Sequence, residues 1–168
     1  MATIVRAQSS AEIEAVRGLI AEYVEWLGID LSYQSFPQEF AALPWRYAPP
    51  RGELLLALEG GEPAGCVALK PIDADSGEFK RFFVRPRFRG RGIGLDLGRA
   101  IVDRAREIGY RRMRLDTLPS MCAAVAVYRA LGFRPIPAYH DTPVTGTLFM
   151  ELDLCEGSSD NAISASRR

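Results

Sequence analysis

Long apolar runs are missing from this sequence. The longest, Leu54–Leu58 and Met121–Tyr128, fall far short of the roughly 18 residues that a membrane-spanning helix needs, so no membrane partner is expected. Residues 1–10 carry Arg6 but neither an apolar h-region nor a small-residue cleavage site, so nothing there directs secretion and the cytoplasm is the expected compartment. Cysteine is scarce: Cys66, Cys122 and Cys155 are odd in number, far apart and form no C-x-x-C pair, which argues against a disulfide framework and a zinc site alike. Histidine occurs once, at His140, so a histidine-based metal cluster cannot be assembled; no calcium-type loop is present either, and no metal is expected.

What is present is an ordinary globular composition. The 168 residues are 48% hydrophobic and 25% charged, enough for one domain with its own core and unlike a disordered chain. Acidic and basic residues balance at 21 each, but unevenly along the chain. Lys80 to Arg114 holds twelve basic residues against Asp96, Asp103 and Glu107, which suggests a polyanion site. No interleaved exposed aromatics or nucleic-acid motif accompany it, so a phosphorylated small ligand fits better than nucleic acid.

The pattern of apolar residues sets an element order of β-α-α-β-β-β-α-β-α-β-β. Thr3–Ala7 alternates as a strand; Ser9 and Glu12 are spaced as a capping box before a helix that runs to Gly28. A short helix near Gln38–Leu43 is expected within an aromatic-rich connection, followed by strands at Glu53–Leu58, Gly65–Pro71 and Glu78–Val84. A helix from about Gly92 to Ile108, a strand at Met113–Thr117, a helix opened by Pro119 and Ser120 and ended by Gly132, and strands at Ile136–Tyr139 and Thr147–Leu154 complete the order. Residues 1–154 are expected to form one domain, and the polar residues 155–168 a disordered tail.

Arg89-Gly90-Arg91-Gly92-Ile93-Gly94 lies between a strand and a helix. Alternate glycines there let backbone N–H groups converge on phosphate oxygens at a positive helix N-terminus. A dinucleotide fold is one rival: Gly92, Gly94 and Gly98 follow a strand, and Asp116 ends the next strand where a ribose-binding carboxylate would lie. Against it, Arg85–Arg89 intervene between strand and loop, and only one further strand-helix unit follows.

The same segment, Val84 to Gly94, resembles the R/Q-x-x-G-x-G/A motif of the GCN5-related N-acetyltransferases, with Arg89, Gly92 and Gly94 on its defining positions. Ala124 to Phe133 is similar to that family's A-x-x-L-Y-x-x-L-G-F helix and strand, and Glu78 to Val84 to its fourth strand. The resemblance covers about Thr3 to Leu154. It implies a mixed α/β fold whose mostly antiparallel central sheet has splayed fourth and fifth strands flanked by helices. It implies acetyl-CoA as co-substrate, an acetyl group moved to an amine of a small molecule or peptide by direct attack, and a homodimer as an open partner.

By that resemblance the pyrophosphate is held by the backbone at Arg89, Gly90, Arg91, Gly92, Ile93, Gly94 and Leu95, with surplus arginines meeting the adenosine phosphate. The pantetheine arm adds beside Phe82, Phe83 and Val84 like an extra strand. Tyr128 matches the tyrosine that faces the CoA sulfur and would act as the acid, and Glu78 stands where some members carry the base; His140 and Asp116 are weaker base candidates. Met121 departs from the family, standing where many relatives have an asparagine; Ser120 or Thr117 would have to replace that contact. Tyr33, Phe36, Trp45, Tyr47 and Tyr139 are candidates for an aromatic acceptor pocket, with core or dimer contacts as the competing reading. A non-catalytic acyl-CoA-binding module is the remaining alternative.

Overall fold

The computed structural model describes residues 1–155; the expectation of a disordered tail falls on residues 156–168, outside them. Seven strands form a single sheet: β1 (Thr3–Arg6), β2 (Glu53–Glu59), β3 (Glu62–Pro71), β4 (Ser76–Val84), β5 (Arg112–Thr117), β6 (Arg134–Ile136) and β7 (Leu148–Asp153). Four helices flank it: α1 (Ser10–Leu27), α2 (Phe36–Ala41), α3 (Ile93–Ile108) and α4 (Cys122–Leu131). The element order is the expected one.

In space the strands run β1-β2-β3-β4-β5-β7-β6. Every pairing is antiparallel except β4 with β5, the pair joined by the α3 crossover, which is parallel. That parallel ladder holds only Ser76–Arg112, Gly77–Met113 and Glu78–Arg114. Beyond Glu78 the two strands part, so one edge of β4 from Phe79 to Val84 has no strand beside it. On its other edge, Cys66 pairs with Phe83 and Ala68 with Lys80, leaving Arg81 and Phe82 opposite Val67 in a β-bulge.

Both faces of the sheet are covered. In β2 the run of leucines alternates between two cores: Leu55 and Ala57 face α3 and α4, with Leu97, Ile101, Met113 and Leu115, while Leu54 and Leu56 face α1, with Val16, Leu19 and Ile20. A short continuous apolar run is what a strand buried on both faces requires. α1 begins at the anticipated capping box: Ser9 Oγ accepts from Glu12 N at 3.2 Å, and Ser9 N donates to Glu12 Oε1 at 3.0 Å. It ends at Gly28, whose φ of +67° suits a residue without Cβ.

Several boundaries differ from the sequence reading by two or three residues, among them the starts of α2, β3 and β4, which come earlier, at Phe36, Glu62 and Ser76. The strand expected at Ile136–Tyr139 is Arg134–Ile136. It lies at the edge of the sheet, where Pro135 is tolerated, and Pro137, which has no N–H to donate, follows its end. The helix expected to open at Pro119 and Ser120 instead begins at Cys122.

Candidate functional site

β4 runs into a short 3₁₀ turn at Pro86–Phe88 and then into the glycine loop. Arg85 N donates to Ala64 O at 2.8 Å, anchoring the exit from the strand. Arg89 folds back over it: Nε donates to Val84 O at 2.9 Å, and the guanidinium lies over the rings of Trp26 and Phe83, at 5.1 and 5.8 Å. Gly90 and Gly92 adopt φ of +77° and +82°, and a Cβ built on either meets no atom within 4 Å. Both would project into open space over the start of α3. No side chain caps that helix end, so its first N–H groups are free to meet an anion.

A cavity of about 420 Å³ opens here, lined by Arg89, Gly90 and Gly92–Leu95 of the loop and helix start, by Phe82–Val84, by Ser120 and Met121, and by Cys122–Ala124 and Val127 of α4. It therefore lies along the unpaired edge of β4. The open glycine cradle, the uncapped helix end and the bare strand edge fit a phosphate-bearing thioester with an amide arm. Phe82–Val84, Arg89, Gly90, Gly92, Ile93, Gly94 and Leu95 all line it; Arg91, next to them, is exposed with its guanidinium over Phe88 at 5.5 Å. Trp26 and Cys122 also belong to this wall, though neither lies in the loop motif. Ser120 lines this cavity and Thr117 does not.

A second, smaller cavity of about 50 Å³ lies on the other side of Phe82 and Met121, which line both. Tyr128 is on its wall with Tyr23, Tyr33, Lys80 and Asp116. Tyr128 is only 5% exposed, and its ring meets Phe79, Phe82 and Phe133 at 5.3 to 6.0 Å. Burial, reinforced by Tyr23 and Asp116, pushes its hydroxyl far above the ordinary tyrosine value, so it keeps its proton.

Glu78 lies behind this wall rather than on it. Oε2 accepts from Tyr139 Oη at 2.6 Å, and Oε1 is 3.3 Å from Lys70 Nζ and 3.9 Å from Lys80 Nζ. Burial drives its carboxyl up, but Lys80, Lys70 and the Tyr139 hydroxyl outweigh it and hold the group below its usual value. Asp116 Oδ2 is 2.6 Å from His140 Nε2, while His140 Nδ1 is 2.8 Å from Asp141 O. The structure thus brings all three base candidates together, with ligand-capable atoms within 4.8 Å of one another. The lone histidine gave no reason to expect that cluster. Two lysine ammoniums on Glu78 oppose a cation there.

The five aromatic pocket candidates separate. Tyr33 lines the smaller cavity. Tyr47 is fully buried and donates to Glu39 Oε1 at 2.7 Å, with Trp45 packed on its ring; Phe36 packs on Phe40 against the same core. Tyr139 is held by Glu78 and packs on Phe149. For Phe36, Trp45 and Tyr47 the core reading is the right one.

The dinucleotide reading fails on the same geometry. Among the described residues only one pair of strands is parallel. Asp116 is engaged by His140, and a Cβ at Gly98 would come within 2.7 Å of Leu131, so that glycine serves the packing of α3 on α4.

A central sheet splayed beside a glycine loop and an uncapped helix end defines an acyl-CoA-dependent transferase, and comparison with known proteins agrees. Residues 20–133 match the model of the acetyltransferase (GNAT) family. An uncharacterized N-acetyltransferase of Schizosaccharomyces pombe is 34% identical over 85% of this chain and 89% of its own length. An IAA acetyltransferase of Azospirillum brasilense is 35% identical over 92% of this chain and its whole length. Among solved structures, a GNAT acetyltransferase of Staphylococcus aureus superposes with a TM-score of 0.75 at 20% identity, covering 92% of this chain and 99% of its own. Another from Elizabethkingia anophelis, with acetyl-CoA bound, gives 0.64 at 22%, covering 90% and 97%. The chain belongs to the acetyltransferase (GNAT) family. Its activity is that of an acetyl-CoA-dependent N-acetyltransferase acting on an amine. No described helix is long and apolar enough to cross a membrane.

Proposed function

We propose that residues 1–154 form a single domain that acetylates a small-molecule amine by direct transfer in a ternary complex, with the two cavities holding the two substrates. The observation that carries this reading is their meeting at Phe82 and Met121, with Tyr128 on the wall of the smaller one. The larger takes acetyl-CoA: backbone N–H groups from Arg89 to Leu95 meet the pyrophosphate, and the free edge at Phe82–Val84 pairs with the pantetheine amides. Arg81 at the bulge turns the backbone of β4, which lets an N–H there polarise the thioester carbonyl. Met121 cannot supply an amide hydrogen bond to the arm, and Ser120, on the same wall, supplies the replacement hydroxyl.

In the transfer step the acceptor nitrogen forms a C–N bond to the acetyl carbon while the C–S bond breaks. Tyr128 gives its proton to the departing sulfur. The proton lost by the amine passes through water to the carboxylates, with Asp116 on the cavity wall and Glu78 behind it. Cys66 takes no part as a nucleophile, because burial pushes its thiol up to about 12 and it donates to Arg81 O at 3.3 Å. We assign the reaction to the cytoplasm, where acetyl-CoA is available.

Calorimetric titration with acetyl-CoA, and with NADH and NADPH in parallel, tests the reading. Saturable binding of acetyl-CoA alone is expected. Binding of a dinucleotide in its place would overturn it.

A further inference from the structure

Among the charged groups around the smaller cavity, Lys80 has the poorest set of partners. Arg81 is satisfied by Glu39 through a two-pronged pair, Nε to Oε2 at 2.7 Å and Nη2 to Oε1 at 2.8 Å. Lys70 sits on Glu78 Oε1 at 3.3 Å, and Tyr139 takes Oε2 at 2.6 Å. Asp116 already receives His140, both of whose ring nitrogens face oxygen acceptors. Lys80 is left over. Its ammonium donates to Gln34 Oε1 at 3.0 Å, an oxygen it shares with Arg81 Nη1, and it stands 3.9 Å from Glu78, too far for a hydrogen bond. It is only 8% exposed and lines the cavity.

A buried ammonium with three donors and one neutral acceptor is costly unless something else compensates it. We infer that the acceptor fills the remaining donors: Lys80 binds the carboxylate of an amino acid whose amine is the group acetylated. Burial, which works against the charged form of Lys80 and lowers its pKa despite Glu78 and Asp116, is relieved when an anion arrives.

Position agrees with this assignment. Lys80 lies two places before Phe82 on β4, on the other side of the Arg81 bulge, and Phe82 marks the junction with the acetyl-CoA cavity.

The inference rests on the transferase reading above, so the experiment keeps the two apart. Acetyl-CoA affinity is measured first by calorimetry; no binding would sink the transferase reading itself. Thiol release and product mass are then followed with L-amino acids, their carboxamides and the corresponding decarboxylated amines. The acids are expected to be acetylated with kcat/KM about tenfold or more above their amides, the scale of a lost charged hydrogen bond. Lys80→Met should erase that preference by raising KM for the acids, with acetyl-CoA affinity retained, and Lys80→Arg should keep part of it. Amides or plain amines acetylated as well as the acids would overturn the inference. So would a Lys80→Met enzyme that binds acetyl-CoA and still prefers acids, or acetyl-CoA binding with none of the acids acetylated.

Discussion

Tyr128 shows how surroundings turn a common residue into a specific tool. Its ring is held by Phe79, Phe82 and Phe133, contacts that a phenylalanine would keep, so Tyr128→Phe removes the hydroxyl and little else. General acids of this kind contribute on the order of 100-fold or more to rate. The expected outcome is a fall in kcat of about that size with calorimetric acetyl-CoA affinity unchanged; an unaltered kcat would exclude Tyr128 as the proton donor. Sequence reading reached this residue because its motif is local, with Tyr128, Leu131, Gly132 and Phe133 close together in one helix and its exit. Lys80 was not reachable in that way. Its surroundings are set by Gln34, Glu39, Glu78 and Asp116, which come from separate elements; the one available signal was a lysine, one of only two in the chain, between Phe79 and Arg81 in a strand.

At the scale of elements, the bulge in β4 is held from a distance. Arg81 is a non-glycine residue at φ +55°, a conformation that costs roughly 1–2 kcal/mol. Glu39 of α2 holds it there with the paired hydrogen bonds already described, and Tyr47 holds Glu39. Removing one partner of a buried ion pair costs about 3–5 kcal/mol, so Glu39→Ala should lower stability by that order in a denaturant titration. Because the bulge sets the edge along Phe82–Val84, the folded fraction of that variant should also bind acetyl-CoA more weakly; wild-type affinity would separate the bulge from cofactor binding. The glycine loop makes the opposite case, a site held almost wholly by neighbours in sequence. At Gly92 a Cβ would point into the open cradle at φ +82°, so Gly92→Val should abolish acetyl-CoA binding while circular dichroism shows a folded protein. Retained affinity would remove the loop from the phosphate site. The same contrast explains what the sequence reading located and what it misplaced. The loop and the strand order follow from local spacing, whereas Phe36, Trp45 and Tyr47 lie among prolines in a connection whose inward face is fixed only when it packs against α1 and β3.

Across the whole molecule, acid chemistry and stability share one property: five of the six tyrosines are buried or half-buried. Tyr23 is pushed up to about 12, and Tyr47, Tyr110, Tyr128 and Tyr139 are all raised, with burial the largest cause in each. Unfolded tyrosines lose their protons near pH 10, so above that pH the unfolded chain binds fewer protons than the native one. Stability must therefore fall as pH rises from about 10 through about 12. Tyrosinate absorbance at those five residues should appear together with the loss of circular dichroism. Their smooth titration near pH 10 in a protein that remains folded would refute the burial argument. The enzymatic counterpart follows from the same sign. Glu78 is held low and is already ionised across the neutral range, and Tyr128 keeps its proton well past pH 10. The acceptor amine is then the group whose deprotonation shapes the rising limb: kcat/KM should climb with pH until the amine is neutral and turn down where Lys80 loses its proton or the fold is lost. A downturn near pH 10 that persists in folded Lys80→Met enzyme would mean that Tyr128 ionises like an exposed tyrosine, and the proton for the departing sulfur would have to come from another group.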